Sequence, residues 1–181
     1  MIVESLSGKR IAITGATGFL GTALVERLAR CVPECELALV VRPGRRGAQD
    51  RIHREILRND CFDRLREELG DRFDSEMDRR IIALAGDVTQ DGLGLNPADS
   101  QYLANCDVVI HSAAAVSFDS PLDQAVNVNL LGPSRVAQAI LAANAHFAAN
   151  AHFPANADFP ANADLASSND STPAKLPHMV A

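Results

Sequence analysis

The sequence predicts an α/β fold, a Rossmann-like doubly wound parallel sheet, and three observations predict it. An apolar run, Ile11 to Thr14, breaks into glycines at positions 15, 18 and 21. Leu20, Leu24 and Leu28 follow at helical spacing. Further short apolar runs, Glu36 to Val41, Ile81 to Ala85 and Asp107 to Ser112, recur between stretches of helical periodicity. Runs that are apolar without alternation suit parallel strands covered on both faces. Right-handed crossovers then give the strand order 3-2-1-4.

Size and charge set limits on the function. The 181 residues, 47% of them apolar, suit one domain with a core. A net charge of −6 argues against a general nucleic-acid or membrane-binding surface. The N-terminus, Met1 to Lys9, has no long apolar segment, so neither a signal peptide nor a membrane span is expected, and a cytoplasmic location is. Cys31, Cys35, Cys61 and Cys106 are too sparse for a disulfide framework and lack a second pair at zinc-site spacing, so free thiols and no metal are expected.

The first strand, Arg10 to Thr14, opens the glycine loop. Gly15 permits a tight turn, Gly18 lets backbone N–H groups approach a pyrophosphate, and Gly21 lets the helix pack closely on the strand. The helix N-terminus behind it favours an anion. A glycine turn that caps the helix without a ligand is the alternative. The helix runs to about Arg30, Pro33 stops it, and Glu36 to Val41 completes a βαβ unit.

At the end of this second strand stands Arg42, followed by Arg45 and Arg46, where a NAD-preferring site places an acid for the ribose 2′-hydroxyl. A guanidinium matches the 2′-phosphate of NADP instead. A solvated basic turn is the competing reading. Residues 48–80 predict one or two amphipathic helices broken near Gly70, with Ile52, Ile56, Phe62 and Leu65 inward and the charges on a solvated face. Ile81 to Ala85 is the third strand. Asp87 at its carboxyl end is either an adenine contact or a loop cap.

A short helix from Pro97 precedes the fourth strand, Asp107 to Ser112, which runs into Ala113, Ala114 and Ala115. Small residues there let a ribose lie against the backbone. His111, inside the apolar run, is expected to be a packed, hydrogen-bonded core histidine. Leu122 to Asn144 predicts a long helix bent at Gly132-Pro133, because proline leaves the carbonyl of Asn129 without its partner. A six-residue repeat then runs from Ala143. Residues 145–177 are expected to be a mobile, dispensable surface loop, with His146 and His152 too few for a metal, and 178–181 the start of a fifth strand.

Together, Thr14 to Gly21, Leu39-Val-Val-Arg-Pro43, Gly86-Asp-Val88 with Leu93-Gly-Leu95, His111 to Phe118 and Val126 to Gly132 resemble the extended short-chain dehydrogenases of the fatty acyl-CoA reductase type, close to thioester reductase domains. The similarity covers about Gly8 to Asn144. It implies that Thr14, Gly15, Thr17, Gly18, Phe19, Leu20 and Gly21 hold a pyrophosphate and that Arg42 holds the 2′-phosphate of NADPH. It further implies that Asp87 and Val88 meet adenine, that Ala113 and Ala114 lie along the ribose, and that Asn129 is the family's helix asparagine. The substrate implied is a long-chain acyl-CoA or acyl-carrier thioester, reduced to aldehyde or alcohol.

The family's acid is a Tyr with a Lys four residues later, beside a Ser/Thr. Here Tyr102 is followed by Cys106, and the lysines are Lys9 and Lys175. No catalytic residue is therefore assigned, and residues 1–144 are expected to be the cofactor half of a reductase truncated near the start of strand five. A non-catalytic nucleotide-binding or redox-sensing module, or an epimerase or dehydratase fragment, are the alternatives.

Overall fold

The computed structural model describes residues 2–32, 34–117 and 119–150, with side chains through residue 145, and the backbone of 178–180. Residues 151–177 lie outside the described residues, and with them most of the repeat and the expectation of a dispensable loop. Pro33 also lies outside, as do the side chains of His146 and His152.

Five parallel strands, β1 (Arg10–Thr14), β2 (Glu36–Val41), β3 (Ile81–Ala85), β4 (Val108–His111) and β5 (His178–Val180), form one sheet in the order β3-β2-β1-β4-β5. The expected order holds, and the expected start of a fifth strand pairs Val108 to Ile110 with His178 to Val180. Register aligns Thr14 with Val40 on one side and His111 on the other, so β1, β2 and β4 end at one level.

Alternation along the strands divides the interior into two cores. Ile11, Ile13, Leu37, Leu39 and Val41 face one side, packed on α2 (Phe19–Cys31) and on the helices after β2. Ala12, Ala38, Val40 and Val109 face the other, against Leu103 of α6 (Pro97–Ala104) and Val136 and Ile140 of the last helix. Each fully buried large side chain, such as Phe62 or Leu39, contributes roughly 1.5–3 kcal/mol. A short helix that the periodicity does not announce, α1 (Ile2–Leu6), lays Leu6 on the first core.

The segment after β2 is more broken than expected. It runs as α3 (Ala48–Ile52), a π-helical turn (His53–Leu57), a 3-10 turn (Asp60–Phe62), α4 (Asp63–Leu69), a second 3-10 turn (Gly70–Arg72) and α5 (Phe73–Arg80). Asn59 halts the first piece by accepting from the Cys61 N–H at 3.0 Å, and Gly70 adopts φ +55° at the expected break. The apolar stripe is as expected, with Phe73 and Met77 added to it.

Arg80 departs from the solvated face assigned to this segment. It is 2% exposed, and its guanidinium donates to Ala29 O at 2.6 Å, Val32 O at 2.7 Å and Cys35 O at 3.2 Å. These carbonyls are the open end of α2 and the approach to β2, where helix geometry leaves acceptors without partners. One buried cation therefore fastens α5 to the first βαβ unit.

The long final helix also differs. Instead of a bend at Pro133 it is α7 (Leu122–Ala125), a π-helical turn (Val126–Leu130) and α8 (Leu131–Asn150). The Leu131 N–H reaches back to Val126 O, which widens the helix just ahead of the residue that has no N–H to give. The helix continues past the expected Asn144 through Asn150, as far as it is described, since the first copy of the alanine-rich repeat carries it on.

His111 is the packed histidine that its place in the apolar run predicts. It is buried, and its Nδ1 lies 2.7 Å from the buried Thr14 Oγ1, across the β1–β4 pairing. Burial pushes its pKa below the ordinary value, so the ring stays neutral in the fold.

Removing the buried guanidinium takes this donor from Ala29 O and Cys35 O and leaves Val32 O with only the Cys35 N–H. Arg80→Ala should therefore cost roughly 3 kcal/mol in urea unfolding, whereas Arg79→Ala, on an exposed surface pair with Glu76, should leave the unfolding midpoint nearly unchanged. For His111, the unfolded chain binds a proton that the fold refuses once pH drops below about 6.5. Stability should be level above that pH and fall below it, and His111→Gln should flatten this part of the curve in unfolding measured between about pH 7.5 and 5.5.

Candidate functional site

The carboxyl ends of β1 to β4 enclose a cleft of about 310 Å³. Open α/β sheets place ligands at this edge. A larger hollow of about 800 Å³ lies among the helices after β2, lined by His53, Arg66 and Phe73 among others. It takes no residue from the strand ends, and its Arg66 is already bonded to Leu57 O at 2.5 Å and to Asn59 O at 3.2 Å.

The floor of the cleft is the glycine loop. Gly15 takes φ +73°, and a Cβ there would lie 2.5 Å from the Ala113 nitrogen, so the turn and the contact with the end of β4 both require glycine. A Cβ on Gly21 would lie 2.1 Å from Gly15 O, so this glycine fits the helix against the loop itself rather than against the strand. Gly18 N donates to Gly15 O at 2.9 Å, and Thr22 Oγ1 to Ala16 O at 2.9 Å, which fixes the loop from within.

The first intrahelical bond of α2 is Thr22 N–H to Gly18 O at 2.9 Å. The N–H groups of Phe19, Leu20 and Gly21 precede it and form a donor cluster at the positive end of the helix. Gly15, Thr17 and Gly18 line the cleft beside them. The fit to a pyrophosphate thus rests on backbone donors and on the absence of side chains at positions 15 and 18.

Three residues expected in the loop's binding role are not among the cleft-lining residues as side chains. Phe19 is 97% exposed and Leu20 67%, and both turn outward, leaving only their N–H groups for a phosphate. Thr14 is 1% exposed with its hydroxyl held by His111, and its carbonyl accepts from Ser112 N at 3.2 Å and Ser112 Oγ at 2.8 Å. It supports the loop from behind and does not reach the ligand side.

On the β2 side, Arg42 lines the cleft and Arg45 and Arg46 do not, because Gly44 and Gly47 pair across a tight turn that carries them outward. A second arginine takes their place. Arg51, one turn into α3, donates from Nη1 to Arg42 O at 3.1 Å and from Nε to Glu55 at 2.9 Å, and it lines the same wall. The two arginines are nine positions apart in sequence, and only the fold-back of the β2–α3 loop brings them together.

Asp87 and Val88 line the β3 side with Gly86 and Thr89. The Asp87 Oδ1 accepts from the Thr89 N–H at 2.9 Å and from its hydroxyl at 2.8 Å, which is the loop-capping role. The Asp87 N–H donates to Leu93 O at 2.8 Å. Leu93 is fully buried in a left-handed conformation, φ +59°, between Gly92 and Gly94, a strained turn that its burial holds in place.

The β4 wall is Ser112, Ala113, Ala114 and Ala115, which line the cleft together with Gln124 of α7 and Val128 of the π-helical turn after it. Asn129 is not among the lining residues. Its amide instead bonds both ways to Ala115, Oδ1 accepting from the N–H at 2.7 Å and Nδ2 donating to the carbonyl at 2.9 Å. Thr89 and Gln124 carry no sequence signal, since they enter only through the folding of neighbouring loops, whereas Ser112 and Val128 lie inside the stretches His111 to Phe118 and Val126 to Gly132.

Comparison with known proteins agrees with this geometry. Residues 13–153 match the family model for male sterility protein, an NAD-binding domain. The chain is 37% identical over 133 residues to fatty acyl-CoA reductase 1 of Rattus norvegicus, covering 72% of this chain and 25% of that protein. It is 34% identical over 139 residues to fatty acyl-CoA reductase 1 of Arabidopsis thaliana, covering 74% and 28%. The chain thus spans about a quarter of the length of these relatives. Among solved structures, the terminal R domain from the myxalamid PKS-NRPS biosynthetic pathway aligns with a TM-score of 0.56 at 28% identity, covering 74% of this chain and 32% of that one. A family match and relatives that each span most of the chain lead to one assignment: the chain belongs to the male sterility protein family, an NAD-binding domain family.

Proposed function

We propose that the cleft binds NADPH in preference to NADH and that, in the full-length protein, it serves the reduction of a long-chain acyl thioester to an aldehyde or alcohol. The observation that carries the cofactor choice is the pair of arginines on one wall. Where an acid would accept from a ribose 2′-hydroxyl, the cleft presents Arg42, backed by Arg51 on its carbonyl. The N–H groups of Phe19, Leu20 and Gly21 would receive the pyrophosphate. Asp87 and Val88 would border the adenine, and Ala113 and Ala114 the ribose.

NADPH supplies a hydride when bound. What this chain contributes is binding and orientation, because its 181 residues contain no Tyr-x-x-x-Lys. The single tyrosine, Tyr102 of α6, stands far from the cleft. Its hydroxyl donates to Glu36 at 3.0 Å at the amino end of β2, and burial pushes its pKa up to about 12. The acyl substrate, as CoA or carrier thioester, and the proton donor belong to our reading of the whole protein. A reducing compartment, the cytoplasm in our reading, fits the four free cysteines.

A charge-assisted bond to the 2′-phosphate is worth about 1.5–3 kcal/mol, so NADPH should bind about tenfold to a hundredfold more tightly than NADH. Titration calorimetry should show this preference, and Arg42→Ala should abolish it with little change for NADH. With a long-chain acyl-CoA added, the purified chain should leave NADPH unconsumed, since loss of a positioned acid alone costs about 10²–10⁴-fold. Equal affinities for the two cofactors would refute the cofactor reading. Turnover near 1 s⁻¹, an ordinary enzyme rate, would refute the division of labour.

A further inference from the structure

We propose that Leu93 is a positioning residue, whose buried side chain drives the chain through a left-handed turn that sets Asp87 and Val88 at the adenine end of the cleft. The inference rests on the cofactor reading above. It assigns Leu93 a role through the Asp87 backbone, since Leu93 itself is not among the residues that line the cleft.

The turn is in conflict with its own sequence. Gly92, Leu93 and Gly94 take φ +59°, +59° and +61° in succession. A left-handed path suits the two glycines and opposes leucine, whose Cβ crowds the backbone there. Glycine at position 93 would follow the same path without strain. The core accounts for the leucine instead, because its side chain is fully buried with Val40, Leu84 and Leu103. Burial thus anchors the turn at a fixed depth, and the strain is held next to an edge of the cleft.

Backbone bonds carry that anchor to the cleft. Leu93 O accepts from the Asp87 N–H at 2.8 Å, the Gln90 N–H donates to Asp87 O at 3.0 Å, and the Leu93 N–H donates to Gln90 O at 3.0 Å. These three bonds close a ring that uses both backbone polar atoms of Asp87 and both of Leu93. Behind it the Gly86 N–H donates to Val41 O at 3.0 Å. A Cβ at position 86 would lie 2.8 Å from the Leu95 side chain, 2.9 Å from that of Val40 and 3.0 Å from Leu93 O, so the loop has no slack on this side. The Asp87 carboxylate is occupied by Thr89, which leaves the placement of this edge to the backbone.

Leu103 provides the control. It is as buried as Leu93 in the same core, and its helix, α6, lends no residue to the cleft. Truncating it removes as much buried hydrocarbon and leaves the ring of bonds intact.

The experiment compares the wild-type chain with Leu93→Ala, Leu93→Gly and Leu103→Ala. It titrates each with NADPH and with adenosine 2′,5′-bisphosphate, which carries the adenine half alone, and adds urea unfolding and, without ligand, amide exchange read at Asp87. Leu93→Ala should weaken both ligands by the same factor, about five- to tenfold, the worth of one hydrogen bond, and should speed exchange at Asp87. Leu93→Gly should unfold at higher urea than Leu93→Ala, because glycine accepts the left-handed path, and yet bind no more tightly. Leu103→Ala should lower the unfolding midpoint and leave both affinities unchanged. Wild-type affinity in Leu93→Gly, a Leu93→Gly chain less stable than Leu93→Ala, or a loss for NADPH that the bisphosphate does not share would each overturn the proposal. So would unchanged Asp87 exchange in Leu93→Ala or an equal loss of affinity in Leu103→Ala. If Leu93→Ala does not fold, Leu93→Gly decides by the same comparisons with wild type and Leu103→Ala. Failure of the cofactor reading shows separately, as a wild-type chain that takes up neither ligand.

Discussion

The contact between Gly15 and the end of β4 is the constraint on which the site depends. At position 15 the chain turns with φ +73°, while the Ser112–Ala113 backbone approaches so closely that a Cβ would lie 2.5 Å from Ala113 N. Gly21 repeats the demand from the helix side, 2.1 Å from Gly15 O for a Cβ. Three backbone segments, the end of β1, the start of α2 and the exit from β4, therefore meet without side chains between them. The result is a surface of N–H groups that a phosphate can approach. Thr14 and His111 form its buried underside, with a bond of 2.7 Å joining the two strands just below the loop.

The two ends of the sheet divide the polar residues between support and binding. At the amino end, Arg10 pairs with Glu36 at 2.8 Å, Tyr102 donates to the same carboxylate, and Lys9 meets Asp107 at 3.4 Å. The guanidinium of Arg10, helped by the Tyr102 hydroxyl, holds the Glu36 carboxyl below the usual range. These groups satisfy one another and tie β1, β2 and α6 together. At the carboxyl end, Arg42, Asp87 and the loop residues Gly15, Thr17 and Gly18 line a cleft. Arg80 belongs with the first set, since its guanidinium completes the end of α2 and faces no ligand.

Strand positions, strand order and the glycine loop were legible in the sequence because each has a local cause. Continuous apolar runs mark strands buried on both faces, and glycines at 15 and 21 answer to contacts within a few residues of them or across one strand. Arg42, Asp87, Ala113 and Ala114 were legible because they directly follow strands. What stayed hidden depends on contacts far apart in the chain. Arg51 joins Arg42 only after the loop folds back, and Arg80 leaves the charged face only because α2 ends beside it. The outward turn of the Phe19 and Leu20 side chains and the burial of Thr14 were hidden for a related reason. A motif records which backbone is needed, and it does not say which way each side chain turns. The π-helical turn at Asn129 was visible as a proline problem but not in the form of its solution.

In the proposed function the dinucleotide occupies the cleft at the strand ends and no other hollow. Backbone amide shifts recorded by NMR during NADPH titration test it most directly. Gly15, Gly18 to Gly21, Asp87 and Ala113 to Ala115 should shift together with one affinity, while His53, Arg66 and Phe73 around the larger hollow stay fixed. Shifts centred on His53 and Phe73, with the glycine loop unmoved, would contradict it.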